Sequence, residues 1–178
     1  MYSFLGYPFC MKNADERKLR PFQNSDSKTV LSWAKDETVY YRWCAGIIGP
    51  WPPGMQDLHF SGNSDAYIYE EGDTPIGMFT VRWSDDSPVV MRLGYVIVDP
   101  ARRNQGIGRA MIEKALELAF DHYRAEKAEL AVFEDNLPAI ACYTAVGFQP
   151  LEGRSESYSI NKKKWNCIVM QKGREEQL

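Results

Sequence analysis

"RRNQGIGRAMIEKALELA", residues 102–119, sets two glycines one residue apart, with arginines on both sides, directly before a helical pattern. From Ile107 to Tyr123 the apolar residues recur at steps of three and four, which predicts a helix with one broad buried face. The first turn of a helix leaves about four backbone N–H groups unpaired, and glycines let an anion approach them. The stretch therefore predicts a site for a phosphate-bearing ligand.

Three kinds of glycine motif bind phosphate in this way, and the sequence discriminates between them. A P-loop requires G-x-x-x-x-G-K-[ST], and no such string occurs. A Rossmann fingerprint requires a third glycine or alanine where this chain has Met111, and it requires a flanking βαβ unit. The strands predicted before the motif form an antiparallel meander instead, because only short turns join Ala66–Glu70, Ile76–Trp83 and Val89–Val98.

The third motif, [RQ]-x-x-G-x-[GA], fits the residues from Arg103 to Gly108, after a strand that ends "VIVDP". About 30 residues on, "NLPAIACYTAVGF" (136–148) fits a second pattern, N-x-x-A-x-x-x-Y-x-x-x-G-F. The two motifs in this order resemble those of the GNAT superfamily of N-acetyltransferases, over roughly residues 67–150. "LRPF" (19–22) and "LGYVIV" (93–98) look most like the branch of ribosomal-protein N-terminal acetyltransferases, although branch similarity is a weak guide to substrate.

The predicted fold class is α+β (mixed α/β). The long helical crossover from Val89–Val98 to the buried strand Ala128–Phe133 predicts that these two strands are parallel. A short helix is predicted from Asn136 to Gly147, and two further strands fit Gln149–Ser155 and Trp165–Gln171. The resemblance implies a central, mostly antiparallel, twisted sheet of six or seven strands, with a splayed parallel pair and helices on both faces.

The length of 178 residues predicts a single domain, 1–178. Residues 24–46 look like one or two helices, "LRPF" is a candidate strand, and the Gly/Pro/Trp-rich segment 46–62 is predicted to be an irregular loop. The resemblance implies that 15–65 lies on the acceptor side and 66–150 forms the acetyl-CoA-binding core. The tail, 173–178, is predicted to fray.

Composition narrows the classes of partner. The net charge of −3 and the pI near 5.5 argue against nucleic-acid binding, and no apolar stretch is long enough to span a bilayer. The N-terminal segment has no charged n-region, so no signal peptide is expected. Four cysteines fit no zinc or redox motif, and the two histidines lie far apart. We expect a cytoplasmic protein with no membrane, nucleic-acid or metal partner.

The resemblance implies acetyl-CoA as the co-substrate. Glycines at 106 and 108 would expose the helix N–H groups to its pyrophosphate, and arginines 103 and 109 would add charge-assisted hydrogen bonds. The pantetheine arm would lie along Tyr95–Val98 and pair with backbone groups as an added strand does. The predicted cofactor-binding residues are Val96, Ile97, Val98, Arg103, Asn104, Gln105, Gly106, Ile107, Gly108, Arg109, Asn136 and Tyr143.

Two residues of the second motif have implied roles at the reacting end of the cofactor. Tyr143 matches the general acid of the family, which faces the sulfur of CoA and donates a proton to the leaving thiolate. Asn136 matches a residue that contacts CoA or a bridging water, and a plain helix N-cap is the alternative.

The general base is where the chain departs from the family pattern. The two positions at which relatives carry a glutamate hold Ala131 and Arg92. Glu134 and Asp135, at the end of the predicted strand, are the candidates we rank first. Glu129 on the same strand, Glu70 on the hairpin, and water relayed through backbone carbonyls are the alternatives.

The implied function is transfer of an acetyl group from acetyl-CoA directly to a primary amine, in a ternary complex. The amine is that of a protein N-terminus or of a small molecule, and the protein is a monomer or a homodimer. A weakly catalytic acyl-CoA-binding or sensing domain, and a transferase for a different acyl-CoA, are the alternatives. Five aromatic residues before residue 64 are expected either to cap the acceptor or to anchor the core: Trp33, Tyr40, Tyr41, Trp43 and Trp51.

Overall fold

The computed structural model describes residues 17–54, 58–60 and 63–174. These residues form one seven-stranded sheet and four α-helices. The strands are β1 (Arg17–Pro21), β2 (Asp65–Glu71), β3 (Thr74–Ser84), β4 (Ser87–Val98), β5 (Lys127–Phe133), β6 (Gln149–Ile160) and β7 (Lys163–Gly173). The helices are α1 (Ser27–Trp33), α2 (Glu37–Cys44), α3 (Ile107–Glu117) and α4 (Leu137–Ala145).

The strand order is β1-β2-β3-β4-β5-β7-β6. Every neighbouring pair is antiparallel except β4 and β5, which are parallel and joined by the crossover through α3. The predicted meander, the parallel pair and the mostly antiparallel sheet are therefore confirmed.

The parallel pair separates soon after it forms. Pairing starts at Val90 and stops at Arg92, which lies opposite Glu129. β4 continues to Val98 and β5 to Phe133 without further pairing between them in the described residues. The two strands therefore diverge toward their carboxyl ends and leave a cleft in the sheet, as the resemblance implies.

A β-bulge in β4 accompanies this divergence. β3 pairs with Gly94 on one side of the bulge and with Ile97 on the other, so Tyr95 and Val96 together face Phe79. Tyr95 has a φ of 47°, in the left-handed region that the first residue of a G1-type bulge adopts, a position usually held by glycine. A bulge bends its strand and increases the local twist, which turns the end of β4 away from β5.

The helices pack on both faces of the sheet, as predicted. Side chains alternate along a strand, so the neighbours Met78 and Phe79 on β3 belong to two separate cores. Phe79 joins the apolar face of α3, where Met111 and Ile112 are fully buried. Met78 joins the core under α1 and α2, where Tyr40 is fully buried.

Several predicted boundaries shift. β6 runs to Ile160 rather than Ser155, and β7 begins at Lys163 rather than Trp165. The turn between them consists of Asn161 and Lys162 with φ angles of 50° and 62°, a type I′ pair in which lysine takes a position usually held by glycine. Because that glycine is absent, the sequence pattern does not predict so tight a hairpin.

Other corrections concern the ends of elements. β1 is Arg17–Pro21, so Phe22 follows the strand instead of closing it. The long predicted helix changes to a π-helical turn over its last residues, Leu118–His122. Gly173 still belongs to β7 and the Arg174 N–H bonds to the Glu126 carbonyl, while the rest of the predicted frayed tail, 175–178, lies outside the described residues. The described parts of the loop predicted at 46–62 contain neither helix nor strand.

Candidate active site

The divergence of β4 and β5 opens a cleft of about 720 Å³ that reaches the starts of α3 and α4. All of the predicted cofactor-binding residues line this cleft except Gln105. The Gln105 side chain turns to its own loop, where it accepts from Arg102 Nε at 3.2 Å and donates to the Ala101 carbonyl at 3.3 Å. We call this space the donor cleft.

The N-terminus of α3 faces the donor cleft with backbone donors available. Gly106, at the N-cap, has a φ of 74° and supplies no side-chain cap. The first bond of the helix runs from the Ala110 N–H to the Gly106 carbonyl at 3.0 Å. The three N–H groups between them have no acceptor within the helix, and the helix dipole makes this end electropositive.

Glycine and arginine side chains complete a surface suited to a diphosphate. A Cβ built on Gly108 would lie 3.7 Å from both Val98 Cγ2 and Cys142 Sγ, so a side chain longer than a methyl group would have to enter the cleft. Arg103 is exposed and makes no hydrogen bond or ion pair with the described residues, whereas Arg109 pairs with Glu113 at 2.9 Å. These residues fit the pyrophosphate of a CoA thioester.

Tyr143 on α4 lines the donor cleft and is 8% exposed. Its ring packs edge-on against Phe148, with the centroids 6.1 Å apart. Its hydroxyl has no hydrogen-bond partner among the described residues. Burial, and then the nearby Cys142 thiol, raise the pKa of this phenol above its ordinary value, so it stays protonated at neutral pH.

Asn136 takes the N-cap position of α4, but its side chain does not cap the helix. Its backbone carbonyl accepts from the N–H groups of Ala139 and Ile140, both at 3.0 Å. The side chain belongs instead to the wall of the donor cleft. The side-chain cap offered as the alternative is therefore wrong, and contact with the cofactor stays a prediction.

A second cleft, of about 260 Å³, lies on the α2 side of the same opening. We call it the acceptor cleft. It and the donor cleft share the residues Arg42, Trp43, Leu93, Gly94, Tyr95, Ala131 and Phe133. Molecules entering from the two sides would therefore meet at the point where β4 and β5 diverge.

Glu156 on β6 is the only acidic residue among the described residues that line the acceptor cleft. Its Oε1 accepts a close hydrogen bond from Arg92 Nη2, and its Oε2 accepts one from the Tyr158 hydroxyl at 3.1 Å. Burial, followed by the Glu156 charge, raises the pKa of Tyr158 to about 12. Burial alone would lower the pKa of Arg92, but its bond to Glu156 and the charges of Glu156 and Glu129 together outweigh burial, so the pKa is raised.

Three arginines line the acceptor cleft: Arg42, Arg82 and Arg92. Apart from Glu156, the carboxylates that pair with these arginines do not line it. Arg42 Nη2 donates to Asp135 at 2.8 Å, and Arg82 Nη1 donates to Asp85 at 3.0 Å. The Nε of Arg42 is buried and has no partner among the described residues. The wall of the cleft is therefore richer in cationic donors than in carboxylates.

The two residues ranked first as general base do not line either cleft. Glu134 is exposed at the end of β5. Asp135 is also exposed, and it is bound to Arg42. Both residues directly follow Phe133, which lines both clefts. Their catalytic role stays a prediction.

The alternative carboxylates are held by other partners. Glu129 is fully buried, with Arg92 at 3.5 Å and Arg154 at 3.1 Å. Glu70 is also buried, and it bonds to Arg20 Nε at 2.8 Å. Neither residue lines a cleft.

Most of the predicted aromatic cluster is core. The side chains of Trp33, Tyr40 and Tyr41 are buried beneath α1 and α2. Trp43 is buried too, but it also lines both clefts, and its indole Nε1 donates to the Tyr95 carbonyl at 2.9 Å. This bond ties α2 to the bulge in β4.

Sequence reasoning missed Glu156 and Tyr158. The predicted strand ended at Ser155, so neither residue was considered for the site. The available signal was alternation, because serines at 155, 157 and 159 separate the larger residues Arg154, Glu156, Tyr158 and Ile160. In the structure these larger residues are the less exposed ones. Polar residues at such inward positions of a strand are candidates for a site.

Three further observations bear on cofactors and partners. In the described part of the chain, no group of three His, Cys, Asp or Glu side chains is arranged to hold a metal ion. Cys44, Cys142 and Cys167 are unpaired thiols. A search of the described helices finds none with the length and apolar character of a membrane span.

The Acetyltransferase (GNAT) family model matches residues 27–148. The chain belongs to this family. Its similarity to N-alpha-acetyltransferase RimI of Mycobacterium tuberculosis is 30% identity over 114 residues, 63% of this chain and 70% of that protein. The L-amino acid N-acetyltransferase AaaT of Escherichia coli is 34% identical over 65 residues, 36% of this chain and 40% of that protein.

Solved structures show the same fold. The spermidine N-acetyltransferase of Vibrio cholerae, in complex with CoA and spermine, aligns with a TM-score of 0.69 over 89% of this chain and 95% of that one. The two sequences are 16% identical, so this likeness concerns the fold. As a GNAT protein, the chain is an acyltransferase that uses acetyl-CoA as co-substrate and an amine as acceptor.

Proposed function

We propose that this GNAT protein acetylates its acceptor by direct transfer within a ternary complex. The observation that carries the proposal is the meeting of two clefts at the diverging ends of β4 and β5. The donor cleft would hold acetyl-CoA and the acceptor cleft the amine, so that the thioester carbonyl and the amine nitrogen come together there.

The thiols along the clefts favour direct transfer over an acyl-enzyme intermediate. Cys167 lines the acceptor cleft, and burial followed by the charge of Glu156 raises its pKa to about 12. Cys142 lines the donor cleft and Cys44 the acceptor cleft, and burial raises the pKa of both. Since the thiolate is the nucleophilic form of cysteine, none of the three side chains is activated for attack on the thioester.

Acetyl-CoA would be held largely by backbone groups. The pyrophosphate would bind the N–H groups in the first turn of α3, with Arg103 supplying a charge that no described residue neutralises. The pantetheine arm would pair with Val96 and Val98, where β4 has separated from β5. With both contacts made, the thioester would lie near the residues that the two clefts share.

The chemical step forms a C–N bond and breaks the C–S bond of the thioester. The acceptor ammonium loses one proton, and the neutral amine attacks the carbonyl carbon of the thioester. As the C–S bond breaks, the phenol of Tyr143 gives its proton to the sulfur, and the nitrogen of the new amide returns a proton to Tyr143. Because burial raises the pKa of Tyr143, the phenol is in the donating form when the reaction begins.

The lining of the acceptor cleft favours an amine that carries a negative charge close to it. Three arginines and one carboxylate suit an amino acid, whose carboxylate would meet a guanidinium while its ammonium meets Glu156. A polyamine would bring several positive charges to the same arginines. Among the relatives, this agrees with the amino-acid substrate in the name of the Escherichia coli protein and less with spermidine.

A panel of acceptors tests the proposal. The protein is mixed with acetyl-CoA and, separately, with free amino acids, peptides with acidic or basic N-terminal residues, spermidine and an aminoglycoside, and CoA release and product mass are measured. We expect free amino acids to give a kcat/KM at least about tenfold above that of spermidine, since 1.4 kcal/mol of differential binding is a factor of ten. A preference for spermidine would overturn the acceptor class.

The same panel separates the alternatives. CoA binding without turnover of any amine would favour an acyl-CoA-binding or sensing domain. Turnover with a longer acyl-CoA and none with acetyl-CoA would favour a different donor.

The oligomeric state, monomer or homodimer, stays a proposal that light scattering tests. β1 and β6 are the strands at the edges of the sheet, where a second copy could pair. The cytoplasmic location stays a prediction.

A further inference from the structure

Glu156 stands close to the point where the two clefts meet. Across β5, β7 and β6 the residues Phe133, Cys167 and Glu156 are in register. Neighbouring strands lie about 4.8 Å apart, so the backbone of Glu156 is roughly 10 Å from that of Phe133, which lines both clefts. The carboxylate points inward from there, because it reaches Arg92 on β4.

The carboxylate of Glu156 is oriented but not saturated. Arg92 bonds to one of its oxygens and the Tyr158 hydroxyl to the other. An ionised carboxylate offers about four lone-pair positions, so roughly half of its accepting capacity is left toward the cleft. The side chain is 25% exposed, which admits a small ligand or a water molecule.

Arg92 is held in place by a second carboxylate, that of Glu129. Its Nη1 lies 3.5 Å from Glu129, which is fully buried, and Glu129 is also bound by Arg154 at 3.1 Å. The chain Arg154–Glu129–Arg92–Glu156 alternates in charge and holds the guanidinium of Arg92 against Glu156.

We propose that Glu156 is the general base of the acetyl transfer and that Arg92 is its positioning residue. The inference rests on the proposed function. One N–H of the acceptor ammonium bonds to Glu156, directly or through one water, and its proton passes to the carboxylate as the nitrogen approaches the thioester carbon. Glu156 then releases that proton to solvent, and the second amine proton goes to Tyr143 as described above.

The test compares Glu156→Gln with the wild type across pH, using the best acceptor of the panel. A general base contributes about 10²- to 10⁴-fold, so kcat/KM at pH 7 should fall by about 10²-fold or more. Above the amine's own pKa, which is near 8 for a peptide α-amine and higher for a free amino acid, the acceptor is already neutral and the deficit should shrink to less than about tenfold. A purely structural role would leave the deficit constant with pH.

Matched variants complete the design. Glu152→Gln changes an exposed glutamate on the same strand and should keep wild-type kinetics. Glu134→Gln and Asp135→Asn test the rival carboxylates, and neither should reproduce the pH-dependent loss expected of Glu156→Gln. Tyr158→Phe removes one bond to Glu156 and should give a smaller, pH-dependent loss, which supplies the readout if Glu156→Gln does not fold.

The outcomes are distinguishable. If the wild type turns over an amine and Glu156→Gln matches it within twofold, Glu156 is not the base, although the proposed function stands. A pH-dependent loss that follows Glu134 or Asp135 instead assigns the role there. If the wild type releases no CoA with any amine while acetyl-CoA binds, the proposed function fails, and the inference fails with it.

Discussion

Replacing Tyr143 by phenylalanine separates catalysis from stability, because its phenol hydroxyl has no hydrogen-bond partner among the described residues. The ring packing against Phe148 would be kept. No buried group would be left unsatisfied, so the free energy of unfolding should change by less than about 1 kcal/mol. For a chain of this size that corresponds to a Tm shift of less than about 4 °C.

Turnover should respond quite differently. Loss of a positioned acid costs about 10²- to 10⁴-fold, and a thiolate is a good leaving group, so we expect the lower end, about 10²-fold in kcat. The affinity for acetyl-CoA should not change. The assay is CoA release with a thiol-reactive chromophore at saturating acceptor, alongside titration with acetyl-CoA and thermal denaturation.

Tyr123 supplies the matched control. Its hydroxyl donates to Asp65 at 2.5 Å and lies 2.8 Å from the Tyr67 hydroxyl, and it lines neither cleft. Tyr123→Phe should therefore lower the free energy of unfolding by about 1–3 kcal/mol and leave kcat unchanged. A Tyr143→Phe protein with wild-type kcat would remove Tyr143 from the mechanism and refute the assignment of the acid.

Three further predictions follow from local geometry. Gly106→Ala should lower the free energy of unfolding by about 1–2 kcal/mol and weaken acetyl-CoA binding, because the φ of 74° is unfavourable for a residue with a Cβ. Thermal denaturation measures the stability and calorimetric titration the affinity. Unchanged values of both would contradict this prediction. Arg20→Met should lower stability by about 2 kcal/mol at pH 7, because Arg20 binds both oxygens of the buried Asp26 at 2.7 Å. Its hydrogen bonds lower the pKa of Asp26, so the stability they contribute is present above about pH 4 and is lost as the pH falls below it; urea titrations at pH 3 and pH 7 should show a smaller difference in the variant than in the wild type. Burial raises the pKa of Tyr143 above its ordinary value near 10, so kcat should show no alkaline loss from this group below about pH 10; a limb near pH 8 that Tyr143→Phe abolishes would contradict this.

The sheet and the donor cleft were largely readable from the sequence because each rests on a short-range pattern. Alternating strands with turn residues between them predicted β2 to β4, and the steps of three and four predicted α3. The resemblance then placed the cofactor along Tyr95–Val98 and the residues from Arg103 to Gly108. The structure gathers all but Gln105 of the predicted set into one cleft.

The residues of the acceptor cleft could not be predicted from the sequence because the cleft depends on contacts between residues far apart in the chain. Arg42 pairs with Asp135 and Arg92 pairs with Glu156, and neither pairing leaves a local pattern. The hairpin that carries Glu156 turns through Asn161 and Lys162, without the glycine that usually marks such a turn. The bulge at Tyr95 could not be predicted either, since a tyrosine in a strand is not expected at positive φ.

We propose that acetyl-CoA binds in the donor cleft with its pyrophosphate on the N-terminus of α3. The most direct measurement is the shift in Tm with acetyl-CoA for the wild type and for Gly108→Trp, whose indole would fill the space beside Val98 and Cys142. At about 100 times the dissociation constant the ligand contributes roughly 2.7 kcal/mol, which is about 5–11 °C for a chain of this size. We predict that shift for the wild type and none for the folded variant. An equal shift in both proteins, or none in the wild type, would contradict the account.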